Sequence, residues 1–241
     1  MRRELTEVER RSIAYALRNP RGRYTAVRAA QLSGVPKSTV YDWRRERVFN
    51  PDFTAASPVM WSYRDLVLLR LLAWLRQGGM DRPTAGEKVA SVKSQLSSAV
   101  EIRFIHATRR DVVLSGENVV DVRDDRENLL PFTDFYRLMG TFDLHEPIAE
   151  LRSERRGPIW APDLVTPSDY SFISPWVLAG DPCIERTRIP TSAIHALRFE
   201  RALPVEAIVE LYPGLNVEAA EDAIALERRL RGIDTHELAA V

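Results

Sequence analysis

Apolar residues fall at helical spacing over most of the chain, and near the middle that period gives way to strict alternation. Leu5, Val8, Ser12, Ile13, Ala16 and Leu17 trace an approximate helical stripe, which Asn19-Pro20-Arg21-Gly22 breaks. Residues 24 to 47 then read as two short helices around a turn at Gly34, a residue free to take the positive φ that ends a helix. Pro36 cannot continue the first helix, and Lys37 or Ser38 starts the second. Ala30 supplies the small residue where the two helices cross. Val48 to Trp61, with Asn50-Pro51 and Ser57-Pro58, suits a short loop or β-wing. Ser62 or Tyr63 opens a helix carrying Leu66, Leu69, Leu72, Ala73 and Leu75, ended by Gly78-Gly79, and another helix is expected over Pro83 to Leu96.

From Glu101 the pattern alternates. Ile102 to His106, Asp111 to Leu114 and Val119 to Val122 read as strands of a small antiparallel meander, separated by turn-like Arg109-Arg110-Asp111 and Ser115-Gly116-Glu117-Asn118. A helix is expected around Phe132 to Met139. Pro158, Pro162, Pro167 and Pro175 then fall within a short span, which discourages regular structure and predicts a stiff linker. Beyond it come two short extended pieces and three helices. The first of these helices runs from Thr191 to Arg201, with Thr191 or Ser192 as its cap. The second, begun by Pro204, buries Val205, Ile208, Val209 and Tyr212. The third, capped by Asn216, carries Ala219, Ala223, Leu226 and Leu230 as far as Gly232.

The fold expected is therefore mostly α with a small antiparallel β element (α+β): a winged helix-turn-helix head over 1–98, a β-containing middle region over 99–152, a Pro-rich linker over 153–174 and a three-helix module over 175–241.

Charge adds a direction to this layout. The formal net charge of the 241 residues is zero, but residues 1–82 hold 16 Lys/Arg against 8 Asp/Glu, and residues 167–241 hold 7 against 12. A basic front suits a phosphate backbone, whose neutralisation releases counterions. An acidic rear suits a different partner. With Val35, Val40 and Trp43 pointing inward in the second short helix, Lys37, Thr39, Tyr41, Arg44, Arg45 and Arg47 are left on its outer face. This basic, polar surface is that of a DNA-reading element, and Thr25, Arg28 and Ser38 join it as candidate contacts. Whether each Arg meets phosphate or guanine is open.

Other chemistry is sparse. Cys183 is the sole cysteine, so there is neither an internal disulfide nor a thiolate cluster for zinc. His106, His145, His195 and His236 lack metal-ligand spacing, and no nucleophile motif or Gly-rich phosphate loop is present. Neither an enzyme nor a cofactor or metal site is expected. The charged start Met1-Arg2-Arg3-Glu4 lacks a signal-peptide core, and Leu66 to Leu75 is too short to span a bilayer, so a cytoplasmic protein without a membrane partner is expected.

Two resemblances sharpen the functional expectation. Thr25, Ala29-Ala30, Gly34-Val35, Thr39-Val40, Trp43 and Tyr63-Arg64-Asp65 make residues 24 to 80 resemble the DNA-binding head of the MerR regulator family. That implies contacts to DNA from Thr39, Tyr41, Arg44 and Arg45, and wing contacts near residues 47 to 61. The family's long dimerisation helix with cysteine ligands, or its drug-binding domain, has no counterpart downstream.

Gly180-Asp181-Pro182, Thr187-Arg188-Ile189-Pro190 and Tyr212-Pro213-Gly214-Leu215 are similar to a tri-helical family of unassigned function found in antitoxins paired with PIN-like ribonuclease toxins. That family has a glycine where this chain has Arg186, and another near Ala202. Together the two halves resemble a VapB-type antitoxin of the larger kind. The resemblance implies operator DNA and a cognate PIN-like ribonuclease toxin as partners, a homodimer, and toxin contacts from Arg186, Arg188 and Tyr212. Arg186 and Arg188 either enter an acidic nuclease site and compete with its cations or bond carbonyls of their own turn. The alternative from another class is a MerR-like regulator whose rear half senses a small ligand, with the middle sheet as its pocket.

Overall fold

The computed structural model describes residues 6–77, 80–98, 142–143 and 160–235. The meander expected between residues 102 and 122, the helix around Phe132 to Met139 and the Gly78-Gly79 pair lie outside them.

The described chain is mostly helical with small antiparallel strand pairs. Five helices form the first half: α1 (Glu7–Arg18), α2 (Ala26–Ser33), α3 (Lys37–Arg45), α4 (Tyr63–Gln77) and α5 (Arg82–Ser98). Strand β1 (Phe142–Asp143) pairs antiparallel with β2 (Trp160–Ala161), matching Phe142 to Ala161. Strand β3 (Ser171–Phe172) pairs likewise with β4 (Cys183–Ile184), and a one-turn 3-10 helix (Leu178–Gly180) lies between them. The second half closes with α6 (Thr191–Phe199), α7 (Val205–Leu211) and α8 (Val217–Thr235).

Helix α4 is the axis of the first half. Tyr63, Leu66, Val67, Leu68, Leu69, Arg70, Leu71 and Leu72 are all fully buried, so it is covered on every side. Ile13, Ala16 and Leu17 of α1 pack into the same core, whereas Val8, expected on that stripe, is 77% exposed. A charge in the middle of this helix is resolved by backbone. Arg70 Nη2 donates to Leu32 O at the end of α2 and to Pro162 O, both at 2.6 Å. Burial pushes its guanidinium down to about 9, with Asp163 opposing.

The Pro-rich stretch, where described, is not a free linker. Ala161, Leu164, Val165 and Ile173 are buried in the head's core, and Tyr63 Oη donates to Leu164 O at 2.9 Å. The prolines do keep residues 162–170 irregular, but the apolar residues between them strap the segment across α4.

The three expected tail helices are present with small shifts. Asn216 Oδ1 accepts from Ala219 N at 2.8 Å, capping α8. Pro204 stands just ahead of α7 rather than inside it, and neither Thr191 nor Ser192 caps α6, whose N-cap is Pro190. The Thr191 hydroxyl bonds Glu227 instead. Gly232 does not stop α8, which continues to Thr235. Ile184, Ile194, Ile208, Leu215, Ala219, Ala220 and Ala223 form a small core of the tail, while Leu226 and Leu230 further along α8 belong to the head's core. The two halves therefore share buried surface.

Candidate nucleic-acid interface

The first half presents α3 on a rigid support. Thr25 Oγ1 caps α2 by accepting from Arg28 N at 3.2 Å. At the other end Gly34 takes φ 74° and its N–H bonds Ala30 O at 2.9 Å, the left-handed ending that turns the chain toward α3. Ala30 is fully buried at the crossing. Val35, Val40 and Trp43 are 1%, 0% and 4% exposed, which fixes the rotation of α3 about its own axis. Its other face follows from that rotation. Lys37, Ser38, Tyr41, Arg44, Arg45 and Arg47 are exposed and Thr39 is half-buried.

Within this face Arg45 bonds Asp42 at 2.6 Å, a solvent-exposed pair worth only about 0.5 kcal/mol. Lys37, Arg44 and Arg47 form no ion pair among the described residues. Arg47 ends the helix in the left-handed region, at φ 59°.

The loop after α3 is a short bridged hairpin. Phe53 pairs with Met60, Trp61 pairs with Tyr24, and the Arg23 guanidinium lies 4.6 Å from the Phe53 ring centroid. A buried charge cluster pins the base of the hairpin to α4 and α5. Arg64 Nε and Nη2 donate to the two oxygens of Asp52 at 2.8 and 2.6 Å. Lys93 Nζ reaches Asp65 at 2.7 Å and Asp52 at 3.1 Å. Asp65 also accepts from Asp52 N and Ser62 N. Burial pushes the Asp52 carboxyl up, but the Arg64 hydrogen bonds and the charge of Lys93 outweigh it and leave the carboxyl below its usual range. Sequence reasoning singled out Asp65 and missed Asp52 and Lys93, which come together only when α5 folds back across α4.

Arg28 departs from the expected face. It is 13% exposed and turned to the tail. Its Nε donates to Asp181 at 2.7 Å, and Nη1 and Nη2 donate to both oxygens of Glu227 at 3.0 and 2.7 Å. Glu227 also accepts from Thr191 Oγ1 at 2.6 Å, and Asp181 from Ser192 Oγ at 3.2 Å. Burial pushes Glu227 up, yet its hydrogen bonds from Arg28 and the Arg28 charge hold it below the ordinary carboxylate range. Beside this clamp Tyr24 Oη donates to Gly180 O at 2.9 Å. The Gly180-Asp181 and Thr191 positions singled out in the tail thus face the head. One sequence signal was available for Glu227: it shares the buried stripe of Ala220, Ala223 and Leu230, where a carboxylate needs a cation.

Around Arg186 and Arg188 the turn is held by its threonine. Thr187 Oγ1 donates to Ile184 O at 2.8 Å and accepts from Ile189 N at 3.0 Å. Both arginines are exposed and bond no carbonyl of that turn. Tyr212 is half-buried against the tail core, so the three residues do not share one environment. Arg186, where the resembled family carries glycine, and Ala202, near which it carries another, have φ of 60° and 55°. Cys183 is buried, its thiol pushed up to about 11 by burial and then by Asp181. His195 is buried in α6, while His106, His145 and His236 lie outside the described residues. Among the described residues no group of His, Cys, Asp and Glu could hold a metal ion, and no helix is long and apolar enough to cross a membrane.

In comparisons with known proteins, the model of a family described as a protein of unknown function (DUF433) matches residues 173–226, from the end of the strap into α8. No curated protein and no solved structure matches.

Proposed function

We propose that this protein is an antitoxin that represses its own operon: a MerR-like winged helix-turn-helix head binds operator DNA as a homodimer, and the tail binds and neutralises a PIN-like ribonuclease toxin. The observation that carries the DNA half is the face of α3. Val40 and Trp43 lock the helix, and the side chains left outside are Lys37, Thr39, Tyr41, Arg44, Arg45 and Arg47, a set suited to phosphates and base edges in a major groove. The bridged hairpin from Phe53 to Met60, pinned to α4 and α5 through Asp52, supports reading this loop as a wing. The toxin half is supported by the tri-helical tail and by Arg186 and Arg188, which stand out on a turn that does not need them.

Two measurements test the two halves. Binding to duplex DNA from upstream of the gene should weaken several-fold in Arg44→Ala, with the slope of log K against log salt falling by about 0.9 for each phosphate that is no longer neutralised. Wild-type slopes retained in Arg44→Ala would remove α3 from the backbone footprint. Co-expression with the neighbouring gene product should give a stable complex and relieve growth arrest. DNA binding without such a complex would favour the ligand-sensing regulator instead.

A further inference from the structure

Between the halves lies an open cleft of about 370 Å³, lined from the head by Arg23, Thr25 and Arg28 and from the tail by Asp181, Glu227 and Arg231. Its charges are not equally committed. Asp181 and Glu227 both pair with Arg28, so one guanidinium faces two carboxylates and the clamp keeps one negative charge in excess. Arg23 and Arg231 are exposed. Arg231 approaches Glu227 only to 3.9 Å and is 46% exposed, and Arg23 lies over the Phe53 ring of the hairpin. Two guanidiniums from distant parts of the chain thus line one cleft: Arg231 offsets the clamp's excess negative charge from the edge, Arg23 forms no ion pair among the described residues, and the three arginines outnumber the two carboxylates. Thr25, the N-cap of α2, lines the same cleft and brings the positive end of that helix to it.

We infer that this cleft is a second phosphate-binding point for the DNA that α3 reads, with Arg23 of the head and Arg231 of the tail holding one backbone phosphate. The inference rests on the DNA-binding reading given above and extends it: the tail's long helix becomes part of the DNA-binding surface, although the tail as a whole is acidic. A phosphate suits the site because guanidinium forks bind its oxygens bidentately. The Arg28 clamp sets the spacing of the two arginines by fixing α8 against α2. An interaction of this kind adds affinity and orientation without sequence preference.

The test uses the full chain and a labelled upstream duplex, with binding followed by anisotropy between about 50 and 200 mM salt. Arg231→Ala should lower affinity several-fold on upstream and scrambled duplexes alike and reduce the salt slope by about 0.9, while Arg231→Lys keeps most of the slope. Glu227 keeps Arg28 and Thr191 in either variant, and an unchanged urea midpoint verifies that the fold is retained. Arg23→Ala combined with Arg231→Ala should reduce the slope further. If Arg231→Ala superimposes on wild type while Arg44→Ala weakens binding, the cleft inference is overturned and the role of α3 stands. If wild type fails to bind either duplex at the lowest salt, the DNA-binding reading itself falls.

Discussion

Gly180 shows how one missing Cβ decides the join between the two halves. Its φ is 95°, and a Cβ built there would lie 2.0 Å from Tyr24 Oη and 2.5 Å from Tyr24 Cζ, a fully buried ring that nothing allows to retreat. Gly180→Ala combines left-handed strain with overpacking and should cost about 3 kcal/mol or more in urea denaturation. In a Tyr24→Phe background, which removes the nearest atom, the same change should cost measurably less, and equal costs in both backgrounds would place the strain elsewhere. Arg186 and Ala202 are the reverse case, side chains carried in the left-handed region. Arg186→Gly and Ala202→Gly should each stabilise by about 0.5 to 1 kcal/mol. The resembled family carries glycine where this chain has Arg186 and another near Ala202, a signal from which no backbone angle was read. The contact between Gly180 and Tyr24, 156 residues apart in the chain, had no comparable signal.

Among the elements, α2 and α8 are joined by a buried ion cluster whose energetics are directional. Arg28→Ala leaves Glu227 buried at 1% exposure without its main partner, a loss of about 3 to 5 kcal/mol. Replacing the pair together, Arg28→Met with Glu227→Leu, should cost less than Arg28→Ala, because neither charge is then stranded. The same cluster sets a pH dependence. Glu227 titrates below its ordinary value of 4.5 in the folded chain, so its contribution is complete above that value and is lost as pH falls through the folded one. Urea midpoints of Glu227→Gln between about pH 3 and 7 should therefore show a shallower acid limb than wild type, and parallel limbs would remove Glu227 from the linkage. Local pattern made α2, the Gly34 turn, α3 and the three tail helices readable, since period, caps and breakers all act within a few residues. It did not make the strap readable. The four prolines masked a segment whose Ala161, Leu164, Val165 and Ile173 are buried only because α4 is covered on every side.

For the whole molecule, the opposite charge of front and rear has an internal component. Asp181 and Glu227 of the acidic rear neutralise Arg28 of the basic front, so part of the asymmetry holds the chain together and the remainder faces partners. Because Leu226 and Leu230 belong to the head's core, the halves should unfold together, with fluorescence and circular dichroism giving coincident urea transitions. Two separated transitions would mean that the shared core contributes little. The functional claim stands or falls on the outer face of α3. Its most direct test is titration of the full chain against the duplex upstream of its own gene and a scrambled duplex of equal length and composition. The expected result is saturable binding at low salt that weakens steeply as salt rises and retains preference for the upstream sequence. Equal, salt-insensitive binding to both duplexes, or none, would contradict it.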